Sequence, residues 1–64
     1  MIGHPIQPES PDDMRVWELT NGKFVYRTEE GVFEVQPIGD NWWHREETLE
    51  RAVEWFATQW RTRL

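Results

Sequence analysis

The sequence predicts a small α+β domain: an antiparallel sheet of three strands, or four if residues 42–44 pair, covered by one C-terminal amphipathic helix. Three observations carry this. Residues 14–36 contain three short runs rich in β-branched and aromatic side chains, separated by glycine-containing turns. Residues 48–62 repeat apolar side chains at helical spacing. A sheet with one apolar face followed by an amphipathic helix buries both in a two-layer arrangement.

Residues 1–13 precede the sheet. They hold three of the four prolines (Pro5, Pro8, Pro11) with Glu9, Asp12 and Asp13. Proline removes backbone donors and biases its predecessor to extended shapes. The segment is therefore expected to be a loose N-terminal arm, with Ile2 and Ile6 as its only anchors, and residues 14–64 to be a single βββα domain.

The first strand is Met14–Leu19. Thr20-Asn21-Gly22-Lys23 follows, and Asn-Gly favours a two-residue type I′ hairpin. The second strand is Phe24–Thr28, and Glu29-Glu30-Gly31 makes a second turn. The third strand, Val32–Gln36, is ended by Pro37. Alternation places Trp17 and Leu19, Phe24 and Tyr26, and Phe33 and Val35 each on one face of their strand, and these six are the expected inner layer. Gly39-Asp40-Asn41 supplies turn chemistry in the following loop.

The helix begins at Thr48, a good N-cap. Leu49, Ala52, Val53, Phe56, Ala57 and Trp60 then follow at spacings of 3, 1, 3, 1 and 3, and Leu64 extends the stripe. Trp55 lies about 100° from the stripe centre at Phe56, which makes it a boundary residue. Trp42 and Trp43 are adjacent, so in extended backbone their rings point to opposite faces. One ring is expected to plug the end of the sheet under the helix start and the other to stand at the surface.

A chain of 64 residues hides only about 60% of the surface its unfolded form exposes, so its stability must come from a few large side chains. Five Trp, three Phe and one Tyr supply them, and there is no cysteine to add a disulfide or a thiolate metal site. No apolar run reaches the roughly 18 residues of a membrane span, and the first residues lack the basic start and apolar centre of a signal peptide. The expectation is a soluble, cytoplasmic protein without a membrane partner.

Twelve acidic against seven basic residues give a net charge of −5. Phosphate binding begins with a basic face, so direct nucleic-acid binding is not expected. An acidic protein is steered towards basic surfaces, and the commonest of these hold nucleic acid. On the helix, Glu46, Glu47, Glu50 and Glu54 near the start and Arg61 and Arg63 near the end match the helix dipole, and Glu47 with Arg51 forms an ordinary i,i+4 pair. Together with Glu29, Glu30, Glu34 and Asp40, however, these acids are also a candidate negative surface. Carboxylates spaced like phosphates face the same Lys and Arg side chains that hold nucleic acid. Trp43 and Trp55 are the candidate apolar anchors beside them, since tryptophan is enriched at binding hot spots.

Enzyme signals are weak. His4 and His44 are far apart, and no HxxxH, HxH or CxxC spacing occurs. The only serine, Ser10, lies in the arm. No catalytic residue, metal or cofactor is expected.

In size, acidity, absence of cysteine and α+β plan, the chain resembles the small acidic inhibitors that phages encode against host machinery, of which the DNA-mimicking anti-CRISPR proteins are one class. That resemblance rests on composition and carries over no residue. Glu47-Thr48-Leu49-Glu50-Arg51-Ala52-Val53 also resembles the helix starts of small sheet-plus-helix proteins. The implied function is a non-catalytic interaction protein that blocks the basic nucleic-acid-binding surface of a larger partner. Two alternatives stand beside it. One is a sheet-based nucleic-acid binder using Arg15, Arg27, Lys23 and aromatics. The other is a homodimeric accessory module using a tryptophan face, and monomer and homodimer are equally open.

Overall fold

The computed structural model describes residues 2–63, with side chains through residue 62; Met1, Leu64 and the Arg63 side chain, and with them the expected roles of Leu64 and Arg63, lie outside that range. Five strands precede one helix: β1 (His4–Pro5), β2 (Arg15–Glu18), β3 (Phe24–Arg27), β4 (Phe33–Val35), β5 (His44–Glu46) and α1 (Leu49–Arg63). All neighbours are antiparallel, and the spatial order β1-β2-β3-β4-β5 follows the chain, so the sheet is a simple meander. The α+β class is as expected, but there are five strands rather than three or four.

The fifth strand comes from the arm. Its start is paired rather than loose: His4 lies opposite Glu18, Pro5 lies opposite Trp17, and the Ile6 N–H donates to the Val16 carbonyl at 3.3 Å. A short edge strand ending in proline needs few ladder bonds, which is why proline-rich sequence is compatible with it. Trp17 holds this strand from inside, its indole N–H donating to the Ile2 carbonyl at 2.8 Å. Gly3 is packed so close that an added Cβ would collide with the Glu18 carbonyl oxygen and lie 2.6 Å from the Trp17 indole nitrogen.

The first hairpin corrects the predicted inner layer. The Gly22 N–H donates to the Leu19 carbonyl at 3.0 Å, and the Leu19 N–H to the Lys23 carbonyl at 2.7 Å. Gly22 has φ +85°, whereas among the described residues no non-glycine residue, Asn21 included, has positive φ. This is a three-residue loop, a type I turn followed by a left-handed glycine, and not the expected two-residue type I′ turn. The extra loop residue shifts the pairing by one, so Trp17 faces Val25 and Glu18 faces Phe24. A shift of one residue exchanges the two faces of a strand. Val25 is therefore fully buried, while Phe24 and Tyr26, expected inside, lie on the opposite face and are only partly buried. A bulge between Arg15 and Trp17 then places Arg15 opposite Tyr26 on that outer face. The second hairpin repeats the device, with Gly31 N–H to Thr28 carbonyl at 3.0 Å and Thr28 N–H to Val32 carbonyl at 2.9 Å.

The core is Trp17, Leu19, Val25 and Val35 from the sheet against Ala52, Val53 and Phe56 from the helix. Phe33, Leu49, Trp55 and Trp60 pack partly against it. Thr48 caps the helix as predicted: the Arg51 N–H donates to Thr48 Oγ1 at 3.1 Å, and the Ala52 N–H to the Thr48 carbonyl at 3.1 Å. Only Glu47 and Thr48 separate β5 from α1, so the helix turns straight back over one face of the sheet. The other face is uncovered. Among the described residues no helix is long and apolar enough to cross a membrane.

Candidate interaction surface

The two adjacent tryptophans enter β5 from a tight turn. Asp40 N–H donates to the Pro37 carbonyl at 3.4 Å around Gly39, whose φ of +81° is the type II geometry. Gln36 Nε2 donates to the Asn41 carbonyl at 3.2 Å and fixes the far side of the loop. The chain bends at Trp42 and enters the strand at His44, and the two rings separate to opposite sides. Trp42 turns to the helix side and Trp43 to the open side.

Neither ring plugs the sheet under the helix start. Trp42 is 52% exposed and Trp43 45%, which corrects the expected one-in, one-out division. Five bulky indoles exceed what so small a core accepts once Trp17 and Phe56 fill it. On the helix side, Trp42 meets Trp55 edge-on at 5.8 Å and 71°. His44 stacks on Trp55, and its Nε2–H donates to Glu46 Oε2 at 2.6 Å. On the open side, Trp43 meets Tyr26 edge-on at 5.4 Å and 86°. Trp55 is thus the boundary residue that its helical angle implied, but it joins Trp42 and not Trp43. The two expected anchors, Trp43 and Trp55, lie on opposite faces of the sheet.

The acids do not form one plate. Glu29 and Glu30 are exposed on the β3–β4 turn. Arg45 reaches both Glu30 (Nη2 to Oε1, 3.3 Å) and Glu34 on the open face (Nε to Oε2, 3.5 Å). Glu46 is bonded to His44. Glu30, Glu46 and Glu47 share an open groove of about 440 Å³ with Val32, Arg45 and Arg51, so three carboxylates and two guanidiniums line it together. The expected Glu47–Arg51 pair is not among the ion pairs of the described residues, although both side chains line this groove. Asp40 sits in the turn before β5, at the opposite end of that strand from the helix start. Glu50 and Glu54 are exposed on the helix, and Glu54 borders a separate cleft with Ile2, Trp60 and Arg61.

Four residues outside the predicted set belong to the surface: Tyr26, Trp42, His44 and Arg45. Strand parity was the available signal for Trp42 and Tyr26, once the hairpin geometry is known. Nothing local signals that Arg45 bridges two carboxylates on neighbouring elements.

The open face also holds a preformed cation. The Arg15 guanidinium lies 5.0 Å over the Phe24 ring and donates to Asp13 through Nε at 2.9 Å and Nη2 at 2.8 Å. These bonds, with a third from the Arg15 backbone N–H, hold the Asp13 carboxyl well below the usual carboxylate range and push Arg15 upward. Among the described residues no group of three His, Cys, Asp or Glu side chains has the geometry to hold a metal ion. No family model matches the chain, and no curated protein and no solved structure matches it.

Proposed function

We propose that this chain is a non-catalytic interaction protein that binds and occludes a basic, nucleic-acid-holding surface of a larger protein, in the manner of small phage-encoded inhibitors. The observation that carries the reading is the edge strand β5. The two residues that lead into it, Trp42 and Trp43, stand about half exposed towards its two sides, in a chain of net charge −5. Half-exposed indoles supply contact area at little entropic cost, and acidic side chains close by favour a basic partner. Glu30, Glu46 and Glu47 line one groove near the helix start, while Glu29, Glu50, Glu54 and Asp40 act at longer range through net charge.

Capture from lysate of the cells that carry the protein tests this, with nuclease-treated and untreated lysates compared. The expected partner is retained when its nucleic acid has been removed. It is lost as salt rises, because attraction between exposed charges is screened within roughly 10 Å at 0.1 M. A complex indifferent to salt and to charge reversal at Glu47 and Glu50 overturns the reading.

One observation favours a second reading. Phe24, Tyr26 and Trp43 lie on an uncovered sheet face, where exposed rings can stack nucleic-acid bases. The charges there work against it, since Arg15 is held by Asp13 and Arg45 by Glu30 and Glu34. A gel-shift titration at low salt separates the two readings, and retarded DNA or RNA supports the second.

A further inference from the structure

On the open face, Tyr26 and Trp43 stand at 86° with centroids 5.4 Å apart. With Met14, Arg27, Thr28 and Glu34 they line an open groove of about 510 Å³. We propose that this groove receives an arginine side chain from the partner, its guanidinium against the Trp43 indole and Glu34 as counter-charge. The inference rests on the reading above, that the partner surface is basic, and names the chemistry that one part of this chain selects.

Three features of the groove support a guanidinium. Two rings at right angles offer a π face and a ring edge, and a cation is attracted to the face. The carboxylate is in place and incompletely neutralised, because Arg45 is shared between Glu34 at 3.5 Å and Glu30 at 3.3 Å. Glu34 and Glu30 share this one guanidinium; with Arg27, which also lines the groove, the local charges balance, so Glu34 acts through its remaining lone pairs and not through a net charge. Lastly, the same face already carries one such arrangement filled by the chain's own side chain. Arg15 lies over Phe24 and is gripped by Asp13. Tyr26, Trp43 and Glu34 repeat the ring and the carboxylate of that trio, and among the described residues no cation stands over either ring.

Arginine fits better than lysine. A planar, weakly hydrated guanidinium stacks on an aromatic face while its edge donates to a carboxylate, which a compact ammonium cannot do simultaneously. Arg27 is the opposing term. It is exposed, lines the groove and repels a second cation, although its long stem lets the charged head turn to water.

The test uses the full chain at low salt with three capped peptides: tetra-arginine, tetra-lysine and the neutral isostere tetra-citrulline. Binding is followed by NMR at the Trp43 indole N–H and at the Tyr26 and Glu34 backbone amides, and the amides report on Trp43→Leu. Tetra-arginine is expected to shift these signals and bind several-fold tighter than tetra-lysine, with tetra-citrulline inert. Trp43→Leu, which keeps apolar bulk and removes the π face, and Glu34→Gln should each weaken tetra-arginine about tenfold. Arg27→Gln should strengthen it about two- to threefold, from removal of one like charge. Equal binding of tetra-arginine and tetra-lysine, unaffected by Trp43→Leu and with shifts confined to the helix side, overturns the groove but leaves a basic partner standing. No binding by either cationic peptide overturns the groove as well, and the salt-dependent capture above then decides the broader reading by itself.

Discussion

The imidazole of His44 lies flat against the indole of Trp55, with 4.0 Å between centroids and 9° between planes. One ring belongs to the edge strand and the other to the helix, so the stack closes the helix over the β5 side of the sheet. Trp42 meets both rings edge-on, and Glu46 fixes the imidazole through its 2.6 Å bond. The same contact leaves Trp42 standing out from the fold, because the space beneath it is already filled.

This stack has a measurable energy. Trp55→Ala should lower stability by about 2 kcal/mol, less than the about 3–5 kcal/mol of truncating a fully buried aromatic, since Trp55 is half-buried. In a double-mutant cycle with His44→Ala, the coupling should be about 0.5–1.5 kcal/mol, as for other aromatic pairs. Urea denaturation of the four proteins gives both values. Strictly additive losses would show that the rings do not interact in solution.

Gly3 governs whether the first strand docks. Its φ of +89° is unfavourable for any side chain, and the nearest obstacle to a Cβ is the Glu18 backbone carbonyl, which cannot swing aside. Gly3→Ala should therefore detach β1, break the Trp17–Ile2 bond and cost about 1–3 kcal/mol. Hydrogen exchange reads the effect directly: the Ile6 amide and the Trp17 indole N–H should lose protection while the Val25 amide keeps it. Unchanged protection at Ile6 would mean that β1 tolerates the side chain.

These two relationships show why parts of the fold were legible in the sequence and parts were not. The helix could be read because its signals are local: Thr48 caps it, and Ala52, Val53 and Phe56 recur at its period. The third strand could be read for the same reason, since Val35 alternates into the core. The faces of β3 could not, because Asn21-Gly22 suits two turn types and the choice between them flips Phe24, Val25 and Tyr26 together. β1 was hidden because its two residues have no strand character of their own, and pairing depends on Gly3 and on Trp17, far along the chain. The acidic cluster was read from composition, but its partners were not. Arg45 meets Glu30 across fifteen positions, a contact set by β4–β5 register and not by any local pattern. That the two adjacent indoles diverge was legible from alternation. That both stay half exposed depends on how much of the core Trp17 and Phe56 already occupy.

The helix start offers a cleaner energetic test. Thr48 Oγ1 accepts the Arg51 N–H at 3.1 Å, satisfying one of the donors left open in the first turn. Thr48→Ala should destabilise the protein by about 1 kcal/mol, and Thr48→Ser should restore most of it. In a domain of this size that loss corresponds to a drop of about 4–8 °C in melting temperature. Because Glu47 and Thr48 alone join β5 to α1, the loss should appear in the helix and in β5 together. Thr48→Ala and Thr48→Ser with equal melting temperatures would remove the hydroxyl from the account.

Asp13 sets the acid limb of stability. Its carboxylate accepts two side-chain bonds and one backbone bond from Arg15, and these hold its folded pKa below the unfolded value of about 3.9. A depressed carboxylate stabilises the folded state fully above the unfolded pKa. The contribution falls as pH drops from there through the folded pKa, because the unfolded chain then binds a proton that the folded chain refuses. The difference in stability between the wild type and Asp13→Asn should accordingly be constant from pH 7 to about pH 5, shrink below about pH 4, and continue shrinking at pH 2. Other carboxylates titrate in both proteins and largely cancel in the comparison. The Arg15 guanidinium stays charged throughout, so the change tracks Asp13 and also loosens the cation over Phe24. Urea midpoints at five pH values check this, and a difference that stays flat down to pH 2 would show that the Asp13–Arg15 bonds are not maintained in solution.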